Sequence, residues 1–195
     1  MRYAKHMVTQ IIHILFSLFV LLAAVPSAGR RRKRMKKRGS KRQSTTEYTV
    51  ASAACDPALK DLFSTLCDLI KTADLFDTLN DPDGTFTVFA PTNMAFEDLP
   101  EEILNAVLND VDLLRTVLLF HTVSGQEVLA KDLVDGGEIT MANGEISKTT
   151  RPRHCKIYQS GPGNDAGDLP RIILSNVGVY NGVIHGVDEV LLPAL

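Results

Sequence analysis

The sequence predicts an α+β domain on two observations. Beyond residue 55, apolar residues recur at three- and four-residue spacing through the first half of the chain, then give way to short strand-like runs separated by turn residues. A third observation sets the size of the domain. Of 195 residues, the first 46 hold 12 Lys/Arg and no carboxylate, whereas residues 47–195 carry 23 Asp/Glu against 9 Lys/Arg. The net charge of −2 thus averages a +12 segment and a −14 remainder. A remainder of roughly 150 residues hides about 70% of its unfolded surface in one core, so one domain is expected. Its charge repels phosphate backbones, and no nucleic-acid partner is expected.

Arg2 and Lys5 precede a mostly apolar run, Ile11 to Val25, followed by Pro26-Ser27-Ala28-Gly29. That order of charge, apolar stretch and small residues is a secretory signal peptide, assigned to residues 1–28. As a helix the run rises ~22 Å, short of a ~30 Å hydrocarbon core. Ten of the thirteen residues 30–42 are basic. Positive charge after an apolar run favours a signal anchor held by residues 11–25, so a membrane-anchored form is the alternative to secretion. Residues 29–54 are read as a basic, disordered linker or a propeptide, with an electrostatic patch for sulfated glycans as a third reading. The domain itself is placed at 55–195.

Asp56-Pro57 reads as an N-cap followed by proline at the first helical position, and the apolar spacing from Leu59 to Leu79 predicts a helix interrupted near Asp74. Asn80-Asp81-Pro82-Asp83-Gly84 stops it. Thr85 to Ala90 reads as a strand closed by Pro91. Pro100 opens a helix over Glu101 to Leu108, and Asp110 caps another that runs to Phe120-His121. Glu138 to Ala142 and Glu145 to Lys148 flank Asn143-Gly144, a tight-hairpin signal. His154 to Gln159 and Arg171 to Leu174 read as further strands, with a loop from Ser160 to Asp168 between them.

Three cysteines allow at most one internal disulfide. If Cys55 and Cys67 bracket one straight helix, twelve residues set them ~18 Å apart, beyond the ~7 Å limit for bridged Cα atoms. Cys55 with Cys155 is therefore the expected pair, and Cys67 an expected core thiol.

Thr87 to Phe96 reads TVFAPTNMAF, Leu118 to His121 reads LLFH, and Asn181 to Pro193 reads NGVIHGVDEVLLP. In order and spacing these three segments resemble the signature blocks of the fasciclin domain. The resemblance covers about Leu59 to Leu195 and implies a wedge-shaped β-sandwich with helices packed around one end. Within the blocks, Thr87, Pro91, Thr92, Asn93, Asn181, Gly182, His185 and Asp188 are read as structural. Thr92 or Asn93 caps the short helix containing Phe96, Asn181-Gly182 makes a turn, and His185 and Asp188 bond locally across a turn. The apolar residues Val183 to Leu192 are read as two strands.

Enzyme signatures are absent: the chain holds no G-x-S-x-G, P-loop, G-x-G-x-x-G or H-E-x-x-H. His121, His154 and His185 lack the spacing of a compact zinc site. Asp81-Pro82-Asp83-Gly84 opens like a calcium loop, but its twelfth position is Thr92 rather than Glu. Asn164, Asp165 and Asp168 read as solvated polar and acidic loop residues more readily than as a weak cation site. No catalysis, cofactor or metal is expected.

The resemblance implies extracellular adhesion, with matrix proteins or integrin-type receptors as partners. In some family members the Tyr-His segment contacts integrin, which makes Phe120-His121 the candidate adhesion segment; Phe120 lacks the tyrosine hydroxyl, and burial at a helix end is the competing reading. The acidic domain also suits a mineral-associated matrix. A carrier of a small apolar, carotenoid-like ligand is the alternative function.

Overall fold

A computed structural model describes residues 48–152, 156–164 and 169–194. The expected signal peptide, the apolar run 11–25 and the basic run 30–42 lie outside the described residues, as do His154, Cys155, Asp165 and Asp168.

The first element among the described residues is a short helix, α1 (Val50–Ala54), within the 29–54 stretch expected to be linker. Thr49 and Ser52 form a reciprocal capping box at its start, and Val50, Ala51, Ala53 and Ala54 are buried. A 3₁₀ turn (Pro57–Leu59), capped by Asp56 Oδ1 accepting from the Ala58 N–H at 2.7 Å, leads into α2 (Lys60–Thr72). Asp74, in the left-handed region at φ 56°, breaks the chain before α3 (Phe76–Leu79), where the interruption was expected. Strand β1 (Phe86–Pro91) follows, then α4 (Asn93–Glu97), α5 (Glu101–Asn109) and α6 (Val111–Phe120). The remaining strands are β2 (Thr122–Ser124), β3 (Glu138–Thr140), β4 (Ile146–Thr150), β5 (Tyr158–Ser160), β6 (Ile172–Val179) and β7 (Gly182–Val187).

Two sheets result, with orders β2-β1-β7-β6 and β3-β4-β5. β1 pairs parallel with β7, and every other pairing is antiparallel. All six residues of β1 are buried because the strand has cover on both faces. Phe86, Val88 and Ala90 point into a cluster with the helices, alongside Leu66, Ile70, Leu114 and Leu118. Phe89, one residue out of phase, joins a second cluster with Phe120, Leu133, Met141, Ile157 and Leu191 on the side of the smaller sheet. The period-two alternation of a strand thus feeds two cores from one run of sequence. This is the α+β sandwich with packed helices that the sequence predicts.

The expected disulfide is corrected. Cys55 bonds to Cys67, with Cα atoms 5.0 Å apart, not to Cys155. The ~18 Å separation held only if the intervening residues lay on one straight axis. Instead Cys55 ends α1, the 3₁₀ turn reverses the chain, and α2 itself bends at Phe63 (φ −132°, ψ 15°), which brings Cys55 back over Cys67. Cys67 is consequently not a core thiol.

Two smaller differences follow from long-range packing. The Asn143-Gly144 hairpin closes through a longer turn, with the Met141 N–H donating to Glu145 O at 2.8 Å and Gly144 at φ 90°. Val183 to Leu192 supply one strand rather than two: β7 ends at Val187, and Val190, Leu191 and Leu192 are buried without joining a sheet.

Candidate functional site

The signature blocks are built around buried polar side chains whose bonds are satisfied internally. Thr87 is fully buried in β1; its hydroxyl donates to Gln126 O and accepts from the Val128 N–H, both at 2.8 Å. Pro91 closes the strand, and Thr92 caps α4 by accepting from the Ala95 N–H. Asn93 does something else. The bend at Phe63 interrupts the α2 ladder, and the Asn93 side chain takes the place of the missing bonds: Nδ2 donates to Lys60 O and Asp61 O at 3.2 and 3.1 Å, while Oδ1 accepts from the Thr65 N–H at 3.0 Å. A carboxamide sets an acceptor oxygen and a two-proton donor nitrogen side by side, which suits such a gap.

Asn181 ties three segments together. Its Nδ2 donates to Leu79 O at 3.0 Å and Asp81 O at 2.8 Å, and its Oδ1 accepts from the Val50 N–H at 2.8 Å. Gly182 follows at φ 150°, against the β1 backbone, where an added Cβ would fall inside the Phe86 carbonyl.

His185 and Asp188 do not bond to each other, which corrects the expected local pair. An odd separation along β7 and its continuation turns the two side chains to opposite faces. His185 is fully buried, stacks on Phe89 with ring centroids 5.5 Å apart, donates from Nε2 to Val128 O at 2.9 Å and accepts at Nδ1 from the Asn176 N–H at 3.3 Å. Asp188 instead pairs with Arg171, accepting from its backbone N–H at 2.8 Å and from Nη2 at 3.0 Å.

The candidate adhesion segment lies inside the protein. Phe120 is 0% and His121 2% exposed, and both sit where α6 meets the Val190–Leu192 segment. His121 Nδ1 donates to Val117 O at 2.7 Å, and Nε2 accepts from the Leu191 N–H at 2.9 Å. Burial pulls its pKa down to about 4, with the Val117 bond opposing weakly. Burial also lowers His185, against the bond to Val128. Both imidazoles are therefore neutral donors and acceptors holding loops to the sheet, and a receptor reaches neither ring unless the packing opens.

Among the described residues no group of three or more His, Cys, Asp or Glu is placed to hold a metal ion, and no helix is long and apolar enough to cross a membrane. A surface pocket lined by Lys71, Asp74, Phe76 and Asp77 has a volume of about 230 Å³. Drug-sized ligands occupy roughly 300–1,000 Å³ of mostly apolar cavity.

The exposed chemistry lies elsewhere, on the helices and the turns between them. Residues 72–114 hold ten carboxylates and no Lys or Arg. No ion pair neutralises any of them among the described residues. Leu108 and Val111, which lie between Glu102 and Asp112 in the sequence, are each 48% exposed. The signal that would have found this charge in the sequence is that 43-residue run without a cation.

This arrangement of a mixed four-stranded sheet, a three-stranded sheet and helices defines a fasciclin-type module. A sequence profile of the Fasciclin domain matches residues 61–193, and the chain belongs to that family. It is 34% identical over 163 residues to protein sll1483 of Synechocystis sp., covering 77% of this chain and 84% of that one. It is 31% identical over 146 residues to the cell surface glycolipoprotein MPB83 of Mycobacterium bovis, covering 74% and 60%. Transforming growth factor-beta-induced protein ig-h3 of Sus scrofa is 35% identical over 135 residues, 69% of this chain and 18% of the relative. Among solved structures, the FAS1 domain pair of the insect cell adhesion molecule fasciclin I aligns with a TM-score of 0.58 at 19% identity, covering 75% of this chain and 51% of that one. The chain spans about half the length of that structure, and the likeness is one of fold.

Proposed function

We propose that this chain is a secreted adhesion or matrix protein that acts by binding other proteins through its fasciclin domain. The observation that carries this reading is the family membership together with a relative that is a cell surface glycolipoprotein. The domain's chemistry supports it. The buried histidines and asparagines hold the fold, and the unpaired charge faces outward, as in a binding module rather than a catalyst. The proposal includes cleavage of residues 1–28 and export of the remainder, with matrix proteins or integrin-type receptors as the partner classes.

The test is cell attachment to surfaces coated with the secreted protein, with and without a divalent-cation chelator. Attachment abolished by chelator supports an integrin-type receptor. Attachment lost to a soluble sulfated glycan assigns it to the basic segment, and no attachment in any condition refutes the adhesion reading. The intact mass of the secreted protein checks the leader, since a mass that retains residues 1–28, or recovery in the membrane fraction, favours the anchored form.

A further inference from the structure

Helix α5 shows its neighbours one face only. Ile103 and Val107 turn toward the core, whereas Leu104 and Leu108, one turn apart, lie on the other side with Glu101. Leu104 is half-buried, Leu108 is 48% exposed, and Val111 at the start of α6 is also 48% exposed, next to the exposed carboxylate of Asp112. The result is a short apolar stripe bracketed in sequence by Glu101 and Asp112, on a run of chain that carries no cation from Thr72 to Leu114; Arg115, which follows, turns its guanidinium to Ala73 O.

The charge selects the occupant. A second copy laid against this stripe by the same face would bring two sets of unneutralised carboxylates together, a like-charge contact that opposes association. A lipid surface with anionic headgroups is opposed by the same repulsion. A cationic chain with apolar side chains between its charges satisfies both halves of the surface at once. We propose that the outer face of α5 and the first turn of α6 docks a basic, amphipathic segment of a partner protein, whose apolar side chains seat on Leu104, Leu108 and Val111 while its Lys or Arg groups reach Glu101 and Asp112. This rests on the protein-binding reading above and names its partner class.

The probe is a fluorescein-labelled 14-residue peptide of Leu and Lys in helical amphipathic order, titrated by anisotropy into the full secreted protein. A Ser/Lys peptide of the same charge is the control. The Leu/Lys peptide is expected to bind at least tenfold more tightly than the control. Leu108→Ser and Val111→Ser, both at exposed positions, each weaken the Leu/Lys peptide about tenfold and leave the control unmoved. Glu101→Gln with Asp112→Asn weakens both peptides severalfold at low salt and neither at 0.5 M, where the screening length falls to a few ångström. Equal binding of the two peptides, unchanged binding by the Leu108 and Val111 variants, or no binding at all overturns the proposal. So does a wild-type dimer by light scattering that Leu108→Ser abolishes, since a second copy is then the occupant. Cell attachment on the same preparations separates the two readings. Peptide binding without attachment refutes the adhesion reading and upholds this surface, and attachment without peptide binding refutes this surface and upholds adhesion.

Discussion

His121 makes the fold sensitive to acid, and the size of the effect follows from its bonds. In the folded chain its ring must stay neutral, because Nε2 accepts the Leu191 N–H and a proton there would set two donors against each other. An unfolded histidine takes up a proton near pH 6.5, whereas this one resists until about 4. A folded pKa held below the unfolded value gives stability that is fully present above pH 6.5 and is lost as pH falls through 4. The gap corresponds to about 3 kcal/mol, a large fraction of the 5–15 kcal/mol that holds a typical domain. Urea denaturation followed by circular dichroism at half-unit steps from pH 7.5 to 3.5 measures it, run beside His121→Gln. The variant is expected to be less stable at neutral pH. Its deficit against the wild type then shrinks by about 3 kcal/mol across the window, because only the wild type loses the His121 contribution. Taking the difference cancels His185 and the carboxylates, which titrate in both proteins. A deficit that stays constant from pH 7.5 to 3.5 refutes the neutral, bonded assignment of His121.

Three further outcomes are expected. Cys55→Ser lowers stability by about 3 kcal/mol through loss of a short closed loop, read in the same denaturation, and a non-reduced peptide map links Cys55 to Cys67; linkage to Cys155 would reinstate the other pairing. Asn181→Ala destabilises by about 3 kcal/mol, since it strands the Val50 N–H and the Leu79 and Asp81 carbonyls, and a loss below about 1 kcal/mol would show that these groups find other partners. Gly161→Ala costs roughly 1–3 kcal/mol because its Cβ meets Leu192 O and the Phe120 ring, with a lowered melting temperature as the readout; an unchanged melt would mean that the loop shifts freely.

What the sequence disclosed and what it withheld divide along chain distance. Thr92, Asp110 and the Asp56-Pro57 start are legible because a cap satisfies donors two or three residues away. Strand β1 shows in its β-branched and aromatic residues closed by Pro91, whereas its burial on both faces, Thr87 included, does not. Helix α1 is hidden because Val-Ala-Ser-Ala-Ala has no polar face to set a period, and it is buried nearly all round. Asn181 reads as a turn residue, yet its work is done against Val50, 131 positions earlier. His185 and Asp188 look like a local pair, but their partners Val128 and Arg171 come from other elements. The candidate adhesion segment has the same character. Phe120 and His121 are recognisable as a block, and only the packing of Leu191 against the end of α6 reveals that they face inward.

The parallel pairing of β1 with β7 bears on how the chain becomes a protein. β7 lies between β1 and β6, so one of the two inner positions of the sheet belongs to its last strand in sequence, 96 residues after β1. During synthesis the ribosome releases β1 long before the strand that will shield it. Through that interval β1 offers an open hydrogen-bonding edge, and the apolar helix faces lack the β7 residues that complete their core. Closure waits for a contact of high sequence separation, which is slow to form from an extended chain. A nascent chain with this topology is held in an aggregation-prone state by its wiring alone. A circular permutant that opens between β6 and β7 and moves β7 ahead of β1 would shorten that exposure while keeping the strand order of the sheet.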